Sequence, residues 1–442
     1  MEDMQTPEKT IEARRAKRAA LRRRRIRNQR IMLGVLLLVV VLLIVLIVRG
    51  CSAKDPAPAD QTNTPDSTPE ENVALPSAAD TSKATLAAVG DIMAYDEQLA
   101  DAKQADGSYD FTNCLKDVTS YLSTADLAVG NLEANFCGEP YQGYPNFTAP
   151  ESLAKNLADA GMDLLQTANT YSIQNGISGL TSTIKYITEA GMTPLGTYYL
   201  EAAKKENNGV VVKDINGVKI AFIAYTKGVN NMYLPEGAEY SVDLLYTDYY
   251  STYSTINQDA ILASIQSAKD LNPDVIVAML HWGSEYELNP SDSQDKIADL
   301  MFQNGVDVIL GSHSHLVGPM ERRTVTTTDG DQKEVFIAYS LGNFMSSMTT
   351  DGTQSSVILN LEFTKDNKTG STTISNIDYV PIYLQYDTEA AAGSQIRILD
   401  ISAEIAKYDT GTAGAVSEET YNAMKSALEQ LKTNTKSDFA KS

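Results

Sequence analysis

At 442 residues the chain is longer than one ordinary hydrophobic core and has room for about two to three domains. Its net charge of −21 is uneven: residues 1–30 hold 11 Lys/Arg against 4 Asp/Glu, and the remainder holds 25 against 53, so +7 and −28 combine. An acidic body repels phosphate backbones, which argues against nucleic acid as a partner, and three cysteines are too few for a disulfide framework.

The basic head, residues 1–30, carries the run Arg22-Arg23-Arg24-Arg25, and residues 31–48 follow as an uncharged, almost wholly apolar stretch. At about 1.5 Å per residue this stretch makes a helix of roughly 27 Å, close to the thickness of a bilayer's hydrocarbon core. Arginines ahead of such a span keep the head in the cytoplasm and send the rest outside. The reading is a single-pass transmembrane helix in the cell membrane, with the lipid bilayer as a partner and the main domain extracellular. The span is longer than a signal-peptide core and no A-x-A-like site follows it. Lipoprotein processing at Cys51 is the competing reading, opposed by Arg49 just inside that site. Residues 49–83 are rich in Pro, Asp, Thr and Ser and cannot bury enough apolar surface to offset their ordering entropy, so they read as a disordered linker.

The body begins at about residue 84. Apolar runs predict strands at Thr85–Val89, Asp126–Val129, Met162–Thr167, a short one reaching Gly196, then Val218–Tyr225, Val275–Leu280, Val306–Leu310 and Phe336–Leu341. Helical spacing separates them, from about Tyr95 and over Glu151–Ala160, Gly179–Ala190, Gln258–Lys269 and Asp292–Gln303. This alternation is the pattern of an α/β layered fold. Ser356–Phe363 and Thr372–Tyr383 alternate as a hairpin around Asp366-Asn367-Lys368, and 386–442 read as a helical extension and tail. Cys114 and Cys137 have the option of pairing outside the cell, but two lone buried thiols are the preferred reading.

What the strands end in matters more than the strands. Asp91, Asn131 with Glu133, Asn169, His281, His313 with His315, and Asn343 all stand just after apolar runs, and these three are the chain's only histidines. The C-terminal ends of parallel strands are where α/β folds place their chemistry. Carboxylate, amide oxygen and imidazole suit a divalent metal ion such as Mn, Fe or Zn. A lone Asn or Asp in such a place is usually a cap or a turn; a Gly-Ser-His-Ser-His run and a whole series of such positions are more specific.

The motifs are Val89-Gly90-Asp91-Ile92-Met93, Gly130-Asn131-Leu132-Glu133, Ala168-Asn169, His281-Trp282-Gly283-Ser284-Glu285-Tyr286, Gly311-Ser312-His313-Ser314-His315 and Tyr339-Ser340-Leu341-Gly342-Asn343-Phe344. In this order the chain resembles the CapA proteins of poly-γ-glutamate capsule synthesis, divergent relatives of the calcineurin-like metallophosphatases. The resemblance implies a four-layer metallophosphatase-like β-sandwich flanked by helices over residues 84–385. It implies metal ligands at Asp91, Glu133, Asn169, His281, His313 and His315, catalytic positions at Tyr171 and Glu285, and substrate-facing amides at Asn131 and Asn343. It also implies a role in synthesis, export or attachment of an anionic capsule polymer, poly-γ-glutamate, beside polymer ligase and export subunits. The third motif departs from the family: Tyr171 stands where the family has His, and Gln174 where it has Asp. The first motif has Met93 where true phosphatases have a histidine. A tyrosine, with an unperturbed pKa near ~10, donates a hydrogen bond but shuttles protons poorly near neutrality, and losing a general acid costs on the order of 10² to 10⁴ in rate. Two further functions stay open on the sequence: a cell-surface phosphoesterase or amide hydrolase, and a metal-supported binding module without turnover.

Overall fold

Seven strands of parallel and antiparallel run, with a short eighth alongside, order the first sheet of the computed structural model, which describes residues 80–437 and Phe439. Residues from Asp80 onward form one compact unit. The first sheet contains β1 (Thr81–Ile92), β2 (Leu127–Leu132), β3 (Leu164–Gln166) and β4 (Thr193–Leu195), all parallel. The second contains β5 (Val211–Ile215), β6 (Val218–Thr226), β7 (Val275–His281), β8 (Val308–Ser312), β9 (Met320–Thr326) and β10 (Gln332–Ala338). Strands β6, β7, β8 and β10 are parallel, and β5 and β9 close the edges in antiparallel fashion. After β10 the chain crosses back, and the short β11 (Asn343–Met345) pairs with β1. The long hairpin β12 (Ser355–Asp366) and β13 (Thr372–Tyr386), then β14 (Ile396–Asp400), extend the first sheet antiparallel.

Alternation along each strand builds the layers. Leu86, Val129 and Leu164 meet Phe222, Val277, Val308 and Phe336 between the sheets. The opposite faces carry Ala87, Ala128 and Leu165, which pack on Leu153, Leu157 and Ile187 of the helices Ser152–Ala160 and Gly176–Glu189. On the far side Ile223, Ala278 and Ile309 pack on Ile261, Ile297 and Phe302 of Gln258–Asp270 and Asp292–Gln303. The result is the helix–sheet–sheet–helix order of the expected four-layer sandwich. Each of the larger side chains contributes about 1.5–3 kcal/mol on burial, and each alanine less. Strands buried on both faces read as unbroken apolar runs, which is why β7 (V-I-V-A-M-L-H) is legible.

Several local expectations need correction. The strand predicted at 336–341 ends at Ala338, and a separate strand, β11, takes up Asn343. Gly90 lies against that crossing: a Cβ there would stand 1.8 Å from the Gly342 carbonyl oxygen. The edge strand β5 was not foreseen, although Asn216-Gly217, both at positive φ, is the turn that a tight hairpin requires. The boundary expected at 385 falls at the end of β13, and the chain beyond it returns to the same sheet as β14. Met424, Ala427 and Leu431 of the helix Glu418–Thr435 join the inter-sheet core. Cys114 and Cys137 are both free, and Cys137 is exposed rather than buried. Among the described residues no helix is long and apolar enough to cross a membrane; the span expected at 31–48, the head and most of the linker lie outside them.

Candidate metal centre

The parallel strands of the two sheets end on the same side of the sandwich, and their terminal residues meet there. From the first sheet, Asp91 is fully buried. Its Oδ1 accepts from Asn131 Nδ2 at 2.7 Å, and its Oδ2 accepts from the His313 backbone N–H at 3.2 Å. His315 Nδ1 lies 3.2 Å from the same Oδ2. Asn169 Nδ2 donates to Asn131 Oδ1 at 3.1 Å and to the Leu132 carbonyl at 2.6 Å. Glu133, also buried, sets its Oε1 3.3 Å from His281 Nε2.

The second sheet delivers the imidazoles. His281 is the last residue of β7; its Nδ1 lies 3.0 Å from Ser312 Oγ, and its Nε2 lies 2.9 Å from Thr170 Oγ1. His313 and His315 both sit at positive φ, 95° and 59°. A bulky residue in that region carries strain of order 1–3 kcal/mol, which persists only where the surroundings over-determine it. The surroundings do so here: Asp91 holds the His313 backbone, and Asp91 and Asn343 hold the His315 ring. Gly311 lets this turn form, since a Cβ there would stand 1.9 Å from the Tyr339 carbonyl oxygen. The His281 and His313 ring centroids are 4.5 Å apart, and those of His313 and His315 are 6.1 Å apart.

Three overlapping triads have ligand atoms within 4.8 Å of one another: Glu133–His281–His313, Asp91–Glu133–His315, and Glu285–His313–His315. Two atoms in this cluster, Glu133 Oε2 and His313 Nδ1, are buried and have no hydrogen-bond partner among the described residues. Buried polar atoms are rarely left so, and a cation is what this donor set accommodates.

Burial pushes the Asp91 carboxyl up, but the hydrogen bond and charge of His315, with His281 and Asn131, hold it below its usual value. Burial presses His315 toward neutrality; Asp91, Glu133 and Asn343 overcome it and raise the imidazole to about 9. His313 goes the other way. Burial, then the neighbouring charges of His281, Lys227 and His315, lower it well below the ordinary histidine value. His315 Nδ1 faces two oxygen acceptors, Asp91 Oδ2 and Asn343 Oδ1 at 3.0 Å, so it keeps its proton, and Nε2 is the nitrogen that would bind an ion on releasing the second proton.

Of the residues expected here, all ten are brought to one neighbourhood, but their places differ. Asp91, Glu133, His281, His313 and His315 form the buried cluster, and the exposed Glu285 stands at its rim. Asn169 is wired into Asn131, Leu132 and, through its Oδ1, the Tyr171 N–H. Asn131 and Asn343, expected to face substrate, are buried with their amides engaged by Asp91 and His315. They hold Asp91 and His315 in place, with no open surface remaining on either amide. Tyr171 is 8% exposed and packs edge-on against Phe147, centroids 4.8 Å apart. Burial, then Glu133 and Glu285, raises its phenol well above the usual tyrosine value, so it stays protonated.

Sequence reasoning missed Ser312, Thr170 and Lys227. Lys227 had a signal: it follows β6 at the same strand-end level as the other site residues. Ser312 lay inside a quoted motif, and Thr170 had no signal beyond its neighbour Asn169.

The family model for "Bacterial capsule synthesis protein PGA_cap" matches residues 85–348, which includes every one of these side chains. The chain belongs to that family. It is 27% identical to the capsule biosynthesis protein CapA of Bacillus anthracis over 314 residues, 69% of this chain and 68% of that one. It is likewise 27% identical to the PGA biosynthesis protein CapA of Bacillus subtilis over 303 residues, 66% of this chain and 70% of that one. This CapA-like chain also overlaps a solved phosphatase from Mycoplasma pneumoniae at 14% identity, TM-score 0.40, over 68% of this chain and 94% of that one. An overlap that loose carries no chemistry across.

Proposed function

We propose that this CapA-like protein is anchored in the cell membrane by residues 31–48, displays its sandwich outside, and handles an anionic capsule polymer at a divalent-metal site. Poly-γ-glutamate is the polymer suggested by the B. subtilis relative's name and by the family. Polymer ligase and export subunits are the expected partners. The observation that carries the metal reading is the cluster itself: three triads sharing ligands, with Glu133 Oε2 and His313 Nδ1 orphaned in its middle. Asp91, Glu133, His281, His313 and His315 would hold the ion, which when bound supplies Lewis acidity.

The chain's own residues do the rest. Asn131 and Asn343 hold Asp91 and His315 in place. Ser312 orients His281 through Nδ1. Tyr171, kept protonated by burial, donates rather than exchanges protons. That last feature favours a second reading, a polymer-binding module without turnover, over a hydrolase of the phosphatase kind. Metal analysis of purified full-length protein tests the common premise. Stoichiometric Mn, Fe or Zn is expected in the wild type and its loss in Asp91→Ala; a metal-free wild type purified with any of these ions supplied would sink it. Hydrolysis of polymer or of a phosphoester that disappears in His313→Ala would decide for the enzyme.

A further inference from the structure

Four half-buried lysines of this fold stand against a carboxylate, and Lys227 does not. Lys204 lies 2.5 Å from Asp243, Lys333 2.9 Å from Asp307, Lys365 2.8 Å from Asp274 and Lys407 2.5 Å from Glu404. Each ammonium is withdrawn from water against a carboxylate, as the cost of burying a lone charge requires. Lys227 is half-buried too, but among the described residues no carboxylate lies within ion-pair distance of it. Its Nζ donates to the Gly283 carbonyl at 2.6 Å and stands 4.7 Å over the Tyr253 ring. Its backbone N–H donates to the His281 carbonyl at 2.8 Å, so the residue is fastened to the strand end that bears the metal-cluster histidine.

We infer that Lys227 is the anion-recognition residue of this site, and that its missing partner is an oxyanion of the ligand. The inference rests on the polymer-handling reading for the identity of that oxyanion, a carboxylate, but not for its existence. The cluster carries Asp91, Glu133 and Glu285, and Lys227, tied to the His281 strand end, adds a positive charge to the one a bound divalent ion would bring. The carbonyl and the ring hold the side chain in place without a carboxylate in direct contact among the described residues.

The test is calorimetric titration of full-length, Mn²⁺-loaded protein with a γ-linked glutamate hexamer, and separately with inorganic phosphate. Lys227→Met and Lys227→Gln are expected to weaken whichever probe binds by about tenfold or more, the usual effect of removing a charged hydrogen-bond donor. Their salt dependence is expected to flatten, with Mn²⁺ content unchanged. Gln retains a donor for Gly283, so it separates the lost charge from a lost structural bond; Lys227→Arg is expected to bind nearly as the wild type does. Unchanged affinity and salt dependence in both neutral variants overturns the inference, as does a wild type that binds neither probe. A wild type that binds phosphate but not the hexamer leaves Lys227's role intact and removes the polymer assignment instead.

Discussion

The two sheets contribute to the site in different ways. The first sheet supplies Asp91, Asn131 and Asn169, whose polar atoms are joined to one another and to the backbone, and Glu133, whose Oε2 has no partner among the described residues. The second supplies His281, His313 and Lys227, and here, among the described residues, an imidazole nitrogen has no hydrogen-bond partner and an ammonium has no carboxylate within ion-pair distance. The first sheet thus contributes a hydrogen-bonded frame around Asp91, while Glu133, His313 and Lys227 present groups that wait for a ligand. A saturated polar network rigidifies, whereas a partly satisfied one is costly unless something completes it. Stability should therefore reside in the Asp91 frame, and ligand capture in Glu133, His313 and Lys227.

The largest expected effect tests the frame. Asp91→Ala removes the acceptor shared by Asn131, the His313 backbone and His315. In metal-free protein it is expected to cost about 3–5 kcal/mol, as breaking a buried charge pair does, measured by denaturant unfolding; a cost below about 1 kcal/mol would refute the frame.

The pH dependence of the same pair is smaller and has a definite sign. His315 is raised to about 9 in the folded state, so its contribution is fully present below the unfolded value near ~6.5 and fades as pH rises through about 9. Asp91 is lowered, so its contribution is present above the unfolded value near ~3.9 and fades as pH falls through the depressed folded value. The stability difference between metal-free wild type and His315→Gln should thus shrink from pH 6 to pH 10; a difference that grows over that range contradicts the assignment.

The smallest effect is the most telling. His313→Ala removes a buried imidazole whose Nδ1 has no partner among the described residues, so in metal-free protein it loses packing but no bond at that atom, and its cost is expected to stay below that of Asp91→Ala. Metal content should fall sharply all the same. If His313→Ala destabilised the metal-free fold as much as Asp91→Ala, the distinction between the Asp91 frame and the waiting groups would vanish.

Much of this was legible in the sequence. The unbroken apolar runs of β7 and β8 mark strands buried on both faces, and the polar residues after them arrive together because parallel strands end on one side. Edge strands β5 and β9 were not, since their half-exposed residues alternate with polar ones and lack such runs. At the site, residue type suited Asn131, Asn169 and Asn343 alike to coordination or hydrogen bonding, and the family resemblance made Asn169 a ligand and the other two substrate-facing. An amide is equally suited to ligation and to orienting a neighbour, and only its partners tell which.

By itself the sequence pointed to the polar side chains that follow the apolar runs, because periodicity sets where strands end, though it did not single out Ser312, Thr170 or Lys227. The tertiary structure alone decided which of those atoms are already satisfied. Hydrogen-bond partners such as Asp91 and His313, 222 residues apart, come from strands whose adjacency no local pattern encodes. The setting of Lys227 is of the same kind: that no carboxylate among the described residues lies within ion-pair distance of it is a property of the whole neighbourhood and not of any stretch of chain.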